Sequence, residues 1–236
     1  MYSISYTSEN RKSRNVVNSW GIMTSNIKKG FMKRMGSNNA RKGKKHCICV
    51  FDTETTGLAP KNTEATAESV SSGAWDGARL LQLAWAIYEP TTRALIEKRD
   101  LYVRPDGFVI SEGAQGVHGI TMEIATEKGR SIREVLDEFT QSLDKHSVGT
   151  LVAHNIGFDV AIIKSELLRM EIPPKDIDKM QQICTMRLAK RKLQLQKWPK
   201  LGALHEQLFG ETFANAHNAA ADVDACARAY FRLEDM

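Results

Sequence analysis

The sequence is poor in cysteine, proline and aromatic residues: 4 Cys, 6 Pro and 7% Phe, Trp and Tyr in 236 residues. Cys47, Cys49, Cys184 and Cys226 lie in apolar surroundings and form no Cys-x-x-Cys pair. That points away from a disulfide framework or a zinc knuckle and towards a reducing, intracellular compartment. No run of about eighteen apolar residues occurs, so no segment has the composition of a membrane-spanning helix, and no membrane partner is expected. The first charged residues are not followed by the apolar stretch of a secretory signal. What is there, 42% hydrophobic and 26% charged residues, is a globular composition with enough apolar material for one good core or at most two small ones. It excludes a wholly disordered or collagen-like chain.

Acidic residues are nearly missing from the first 46 positions. Glu9 stands there against 11 Lys and Arg, whereas the rest of the chain has 22 basic and 27 acidic residues. The basic character therefore belongs to an extension, residues 1–45, rich in Ser, Asn, Gly, Lys and Arg and without a sustained period. It reads equally as an organellar transit peptide, a phosphate-binding arm, a nuclear address at Arg41 to Lys45, or a solubilising tail. Nucleus, mitochondrion and cytoplasm all stay open.

From His46 the pattern changes, and residues 46–236 read as one domain. Cys47 to Phe51, Leu80 to Tyr88 and Leu95 to Val103 are β-leaning runs, the last two separated by a Pro90-Thr-Thr-Arg93 turn. Ser131 with Glu134 makes a capping box ahead of the stripe Ile132, Val135, Leu136, Phe139 and Leu143. A strand over Thr150 to Ala153 follows, then helices over Phe158 to Met170, Leu201 to Phe209 and Ala219 to Leu233. Strands first and alternating elements afterwards predict an α/β fold, a mixed sheet flanked by helices. Residues 60–79, rich in Thr, Ser, Ala and Glu, read as an insertion, either a mobile functional loop or disorder.

Three acidic clusters stand out. Side chains alternate along a strand, so Asp52 and Glu54 project to one side while Thr53 points away. Two adjacent carboxylates repel unless one takes a proton or both bind a hard cation. In Ala153-His-Asn-Ile-Gly-Phe-Asp159, the helical spacing puts Asp159 at the border of the stripe formed with Ile162 and Ile163. In His217-Asn-Ala-Ala-Ala-Asp222 the two polar ends are about 500° apart within one helix. They converge only if His217 precedes the helix and Asp222 lies in its first turns. Each cluster alone also fits ordinary surface solvation, helix-dipole compensation or capping.

Taken in order, Asp52-x-Glu54, His154-Asn-x-x-Phe-Asp159 and His217 with Asp222 resemble the three motifs of the DEDD-type exonucleases in their histidine-bearing branch. That branch contains the DNA polymerase III epsilon proofreading subunit and RNase T. Val117-His-Gly-Ile-Thr121 is similar to a groove-lining segment of epsilon-like members. The resemblance covers about residues 46–233 and implies an RNase H-like fold. It further implies 3′→5′ hydrolysis of phosphodiester bonds with two divalent cations, Mg²⁺ or Mn²⁺, releasing nucleoside 5′-monophosphates from nucleic-acid 3′ ends. Asp52, Glu54, Asp159 and Asp222 would be the metal ligands and His217 the general base. Thr55, Gly57 and Leu58 would hold the terminal nucleotide, Asn155 and Phe158 would line the groove, and His118 and Ile120 would pack against terminal bases.

Arg187, Lys190, Arg191, Lys192, Lys197 and Lys200 accumulate without an acid between Lys179 and His205, with Trp198 among them. This run reads either as a phosphate-tracking surface or as a solvated helix face. DNA is the readier expectation over RNA. The rival functions are a non-hydrolytic nucleic-acid-binding module of the same fold and a proofreading partner of a separate polymerase, and a homodimer is common among stand-alone relatives.

Overall fold

The computed structural model describes residues 46–236; the basic extension and its rival readings lie outside them. In chain order the elements are β1 (Cys47–Thr55), α1 (Ala67–Ser71), β2 (Leu80–Tyr88), β3 (Leu95–Tyr102), α2 (Glu112–His118), α3 (Met122–Lys128) and α4 (Ile132–Lys145). Then follow β4 (Val148–Ala153), α5 (Ile156–Arg169), α6 (Lys175–Lys179), β5 (Gln181–Cys184), α7 (Thr185–Lys192), α8 (Leu201–Phe209) and α9 (Ala219–Glu234).

The strands form one sheet in the order β3-β2-β1-β4-β5. The β1–β2 and β2–β3 pairs are antiparallel, while β1–β4 and β4–β5 are parallel. A sheet covered on both faces demands apolar residues at both parities. β1 and β2 meet that demand, since Cys49, Val50 and Phe51 and nearly all of Leu80 to Tyr88 are buried.

Parity then decides which helix each residue meets. Phe51, Leu83 and Trp85 pack with Phe139 of α4 and Ile163 of α5, and the Phe139 ring lies 5.3 Å from that of Trp85, edge to face. Val50, Ala84, Ala86 and Val152 meet Leu188 of α7, Leu204 of α8 and Val223 and Tyr230 of α9 on the opposite face. The expected capping box forms, with Ser131 and Glu134 bonding each other's backbone N–H.

Residues 60–79 are a correction to the reading of a mobile or disordered loop. Ala65, Val70, Trp75 and Ala78 are buried in the main core, and α1 is closed by a Thr66–Ser69 capping box. Trp75 is 1% exposed and donates its indole N–H to Ser69 Oγ. A few large anchors thus fix a stretch whose average composition is polar. The short β5 and the helices α1, α2, α3, α6 and α7 add to the elements that the sequence pattern predicts.

Candidate active site

β1 supplies the first carboxylates. It continues past the apolar run to Thr55, and its pairing with β2 shifts register between Glu54 and Thr55. Such an irregularity twists a strand locally and re-aims its side chains. Asp52 and Glu54 share the face covered by α9, as the period of two requires. At the start of α9, Asn218 caps the helix by accepting from the Ala221 N–H, which leaves Asp222 in the first turn. His217 precedes the helix at φ 68°, and its backbone N–H donates to Asp222 Oδ2 at 3.3 Å. Both the predicted loop position of His217 and the early-turn position of Asp222 are therefore observed.

Asp52, Glu54 and Asp222 each present a carboxylate oxygen within 4.8 Å of the others. Asp159 comes from the opposite face. It is buried in the first turn of α5, and its Oδ1 accepts from the Thr53 N–H at 3.1 Å and from the Thr53 hydroxyl at 2.8 Å. Asp159 is thus outside the closest trio, yet near enough that its charge acts on Asp52 and Glu54.

Among the described residues no ion pair reaches any of these four carboxylates. Burial, followed by the neighbouring Asp159, Asp222 and Glu54, holds the Asp52 carboxyl well above its ordinary range. Burial with the charges of Asp222 and Asp159 pushes Glu54 up to about 8. For Asp159, burial outweighs the Thr53 hydrogen bonds and raises the group to about 7. Burial raises Asp222 to about 6 against the opposing His217 N–H. Half-buried and buried carboxylates that repel one another and share no ion pair are costly as they stand, and an oxygen-only donor set of this kind suits hard divalent cations.

The turn after β1 is held from several directions. Thr55 Oγ1 donates to the Gly57 carbonyl, and Thr56 exchanges backbone and side-chain hydrogen bonds with Arg79. A Cβ on Gly57 would stand 2.7 Å from the Gly77 carbonyl oxygen, so the close approach requires glycine. Leu58 projects from this turn at 86% exposure. His118 accepts the Ile120 N–H at Nδ1, which places its proton on Nε2, facing the Thr55 carbonyl at 3.2 Å. The ring is tied to the turn as a neutral donor, with burial lowering its pKa. Ile120 is buried with Leu81, Ile110 and Ala125 rather than open to the surface. Asn155 is exposed and left-handed at φ 69°, with no side-chain cap bond, and Phe158 is half-buried.

Three supports escaped the sequence reading. Thr53 was assigned correctly to the face away from Asp52, but that this face carries Asp159 depends on where α5 packs. Gln82, fully buried, accepts from the Ala219 N–H and donates to Asp100, linking β2 to the first turn of α9. Glu166, two turns after Asp159 on α5, binds Arg79 Nε at 2.8 Å and the Leu80 N–H at 3.1 Å. A polar residue inside the otherwise apolar run of β2 was the one local signal, at Gln82.

The RNase_T family model, described as an exonuclease, matches residues 49–230. No curated protein matches the sequence. Exonuclease I of E. coli bound to a dT13 oligonucleotide superposes with a TM-score of 0.63 at 21% identity, over 81% of this chain and 41% of that one. A structure described as showing how exonuclease I achieves processivity gives 0.64 at 19% identity over the same shares. Exonuclease X in complex with 5′-overhanging duplex DNA gives 0.53 at 22% identity, over 80% of this chain and 91% of that one. The chain thus spans less than half the length of the exonuclease I structures it matches. These likenesses establish the RNase H-like fold, and the family match covers most of the chain. The chain belongs to the RNase_T exonuclease family, the DEDD-type 3′→5′ exonucleases, hydrolytic nucleases that need divalent metal ions.

Proposed function

We propose that residues 46–236 form the catalytic domain of a 3′→5′ exonuclease. It removes nucleoside 5′-monophosphates from single-stranded DNA or RNA ends, DNA being the readier substrate. The observation that carries the reading is the cluster of Asp52, Glu54 and Asp222 oxygens within 4.8 Å, which no ion pair among the described residues reaches. Asp52, Glu54 and Asp222 would hold two Mg²⁺ or Mn²⁺ ions together with Asp159. When bound, such ions neutralise charge on the phosphoryl oxygens and favour ionisation of the attacking water.

The chain's own residues supply the rest. His217, exposed ahead of α9 and tied through its backbone to Asp222, accepts the proton of the attacking water. Thr53 fixes one Asp159 oxygen and leaves the other to turn towards the site. The backbone of Thr55, Gly57 and Leu58 holds the terminal nucleotide, with His118 bracing the turn at the Thr55 carbonyl. Asn155, which caps α5, and Phe158 in its first turn line the substrate groove in this reading. Neighbours of the same fold were crystallised with a single-stranded oligonucleotide and with an overhanging duplex, which makes both kinds of end worth offering.

The test uses 5′-labelled single-stranded DNA and RNA of one sequence with Mn²⁺ or with EDTA. A metal-dependent ladder shortening from the 3′ end, lost in Asp52→Ala, is the expected result. Binding without cleavage of either strand would overturn the catalytic reading in favour of a non-hydrolytic module.

A further inference from the structure

From sequence alone the acid-free basic stretch reads as either a phosphate track or an ordinary solvated face. Its surroundings favour the first. Arg187, Lys190, Arg191, Lys192, Lys197 and Lys200 take part in none of the ion pairs among the described residues; elsewhere ten basic residues are paired, and the unpaired ones, Lys61, Arg104, Lys128, Arg133, Lys175 and Arg232, are scattered along the chain rather than gathered in one stretch. Within the stretch, all six but the half-buried Lys190 are exposed. Solvated helix faces ordinarily intersperse both signs of charge; this stretch carries a single sign and makes no ion pair.

Its anchorage relates it to the candidate site. Thr185, which opens α7, contacts Ala153 O at 3.4 Å and His154 Nδ1 at 2.9 Å. At the other end, His154 Nε2 lies 3.0 Å from the Pro199 carbonyl. Because Nε2 must donate to a carbonyl, Nδ1 accepts the Thr185 hydroxyl, and one neutral imidazole clasps both ends of the stretch. Burial lowering the His154 pKa keeps it in that neutral form. In the parallel pairing of β1 and β4, Val50 stands opposite Val152, and His154 follows directly on the last residue of β4, Ala153, as Asp52 follows two residues after Val50 on β1. The stretch is therefore fastened one strand away from the acidic cluster.

The stretch also presents an aromatic surface. Trp198 is 55% exposed, and Lys190 Nζ lies 4.2 Å from its ring centre. A half-exposed indole next to unpaired cations offers a base a stacking face and its phosphates opposite charge, without regard to base identity. Beside it a cavity of about 500 Å³ runs from Ile156 and Gly157 at the start of α5 to Arg187 and Arg191, with Glu234 of α9 as its one acidic lining residue.

We propose that residues 185–200 form a platform for single-stranded nucleic acid, the strand that leads into the active site. Trp198 stacks on a base, Arg187, Lys190, Lys197 and Lys200 meet the phosphates, and His154 acts as the positioning residue that fastens the platform. The proposal rests on the exonuclease reading only for which strand arrives.

Binding of a 5′-labelled oligothymidylate of about twenty nucleotides and of its abasic counterpart would be followed by fluorescence anisotropy in an Asp52→Ala background, across a salt series. Trp198→Ala should weaken the thymidylate roughly tenfold and the abasic strand far less, because only the former has bases to stack. Arg187→Gln with Lys197→Gln should lower the slope of log K against log salt by about 1.4, while Lys175→Gln, on α6 and outside the platform, should leave it in place. Unchanged affinity in Trp198→Ala together with an unchanged slope in the double variant would overturn the platform. The 3′-end ladder given by the chain with Asp52 intact reads the other proposal separately. A ladder with flat binding data overturns the platform alone. Binding effects as expected without a ladder overturn the exonuclease reading and support the platform as a binding surface.

Discussion

Thr53 holds Asp159 by two hydrogen bonds to one carboxylate oxygen, 3.1 Å from its backbone N–H and 2.8 Å from its hydroxyl. The contact crosses from the face of β1 opposite Asp52 to the start of α5, and it aims the only acidic residue of the four that does not arise on the α9 side. Thr53→Val keeps the N–H and the side-chain shape but removes the hydroxyl. Hydrogen bonds to charged groups contribute about 1.5–3 kcal/mol. Hydrolysis by Thr53→Val should therefore fall roughly 10- to 100-fold with little change in KM, as steady-state kinetics with Mn²⁺ would reveal. Unchanged turnover would remove Thr53 from the machinery.

The carboxylate cluster fixes the sign of a pH effect on the metal-free protein. Folding raises Glu54 to about 8, Asp159 to about 7 and Asp222 to about 6, burial being the main cause in each. A carboxyl raised on folding favours the protonated form, so its contribution is complete below the unfolded value and is lost as pH climbs through the folded one. In EDTA, Tm should drop from about pH 4, where the unfolded carboxyls begin to ionise, to about pH 8, where Glu54 finally does, and added Mn²⁺ should restore it at the upper end. Thermal denaturation at several pH values, with and without metal, measures this. A Tm that rose with pH in EDTA would contradict it.

Arg79 and Glu166 make the opposite kind of charge arrangement, a paired one. Glu166 is 1% exposed and receives both Arg79 nitrogens and the Leu80 N–H. Arg79→Met should destabilise the domain, by less than the about 3–5 kcal/mol of a wholly orphaned buried carboxylate, because Arg169 Nε still lies 3.5 Å from Glu166. Arg79→Met combined with Glu166→Gln should recover part of the loss. Urea denaturation of the two single variants and the double reads the coupling directly.

Trp75 carries the claim that residues 60–79 are part of the core. Trp75→Ala should cost about 3–5 kcal/mol, in the range of large aromatic deletions from packed interiors. It should also open the segment to limited proteolysis, with nicks appearing between α1 and β2. A variant as stable as its parent would return the insertion to the status of a peripheral loop.

The glycine in the turn after β1 offers a functional test. A methyl group on Gly57 would meet the Gly77 carbonyl at 2.7 Å, and backbone cannot yield as a long side chain does. Gly57→Ala should displace Thr55 to Leu58, raise KM for oligonucleotides several-fold, and leave most of the core intact by circular dichroism. An unaltered KM would mean that the turn does not hold the substrate.

Much of this arrangement was legible locally. Strand parity alone puts Asp52 and Glu54 together, and helix geometry alone forces His217 out of the helix that carries Asp222. Capping at Ser131 and the glycine stop at Gly210 were equally local and are observed. What could not be read depended on packing between distant segments. The burial of Asp159 follows from α5 lying on the Thr53 face, a fact of topology. The four residues of β5, two of them exposed glutamines, become a strand because β4 offers an edge, not because they form a run of their own. Residues 60–79 look polar on average, and averages hide the four anchors that bury them.

Asp52, Asp159 and Asp222 are separated by more than a hundred positions at the first step and by about 170 overall. Local folding cannot bring them together; β1, α5 and α9 must all be docked, and α9 is the last described element to leave the ribosome. A partly made or partly unfolded chain therefore has carboxylates but no metal-binding constellation. Nuclease activity then requires the docking of all three elements, so loosening any one of them should abolish it before the rest of the sheet is lost.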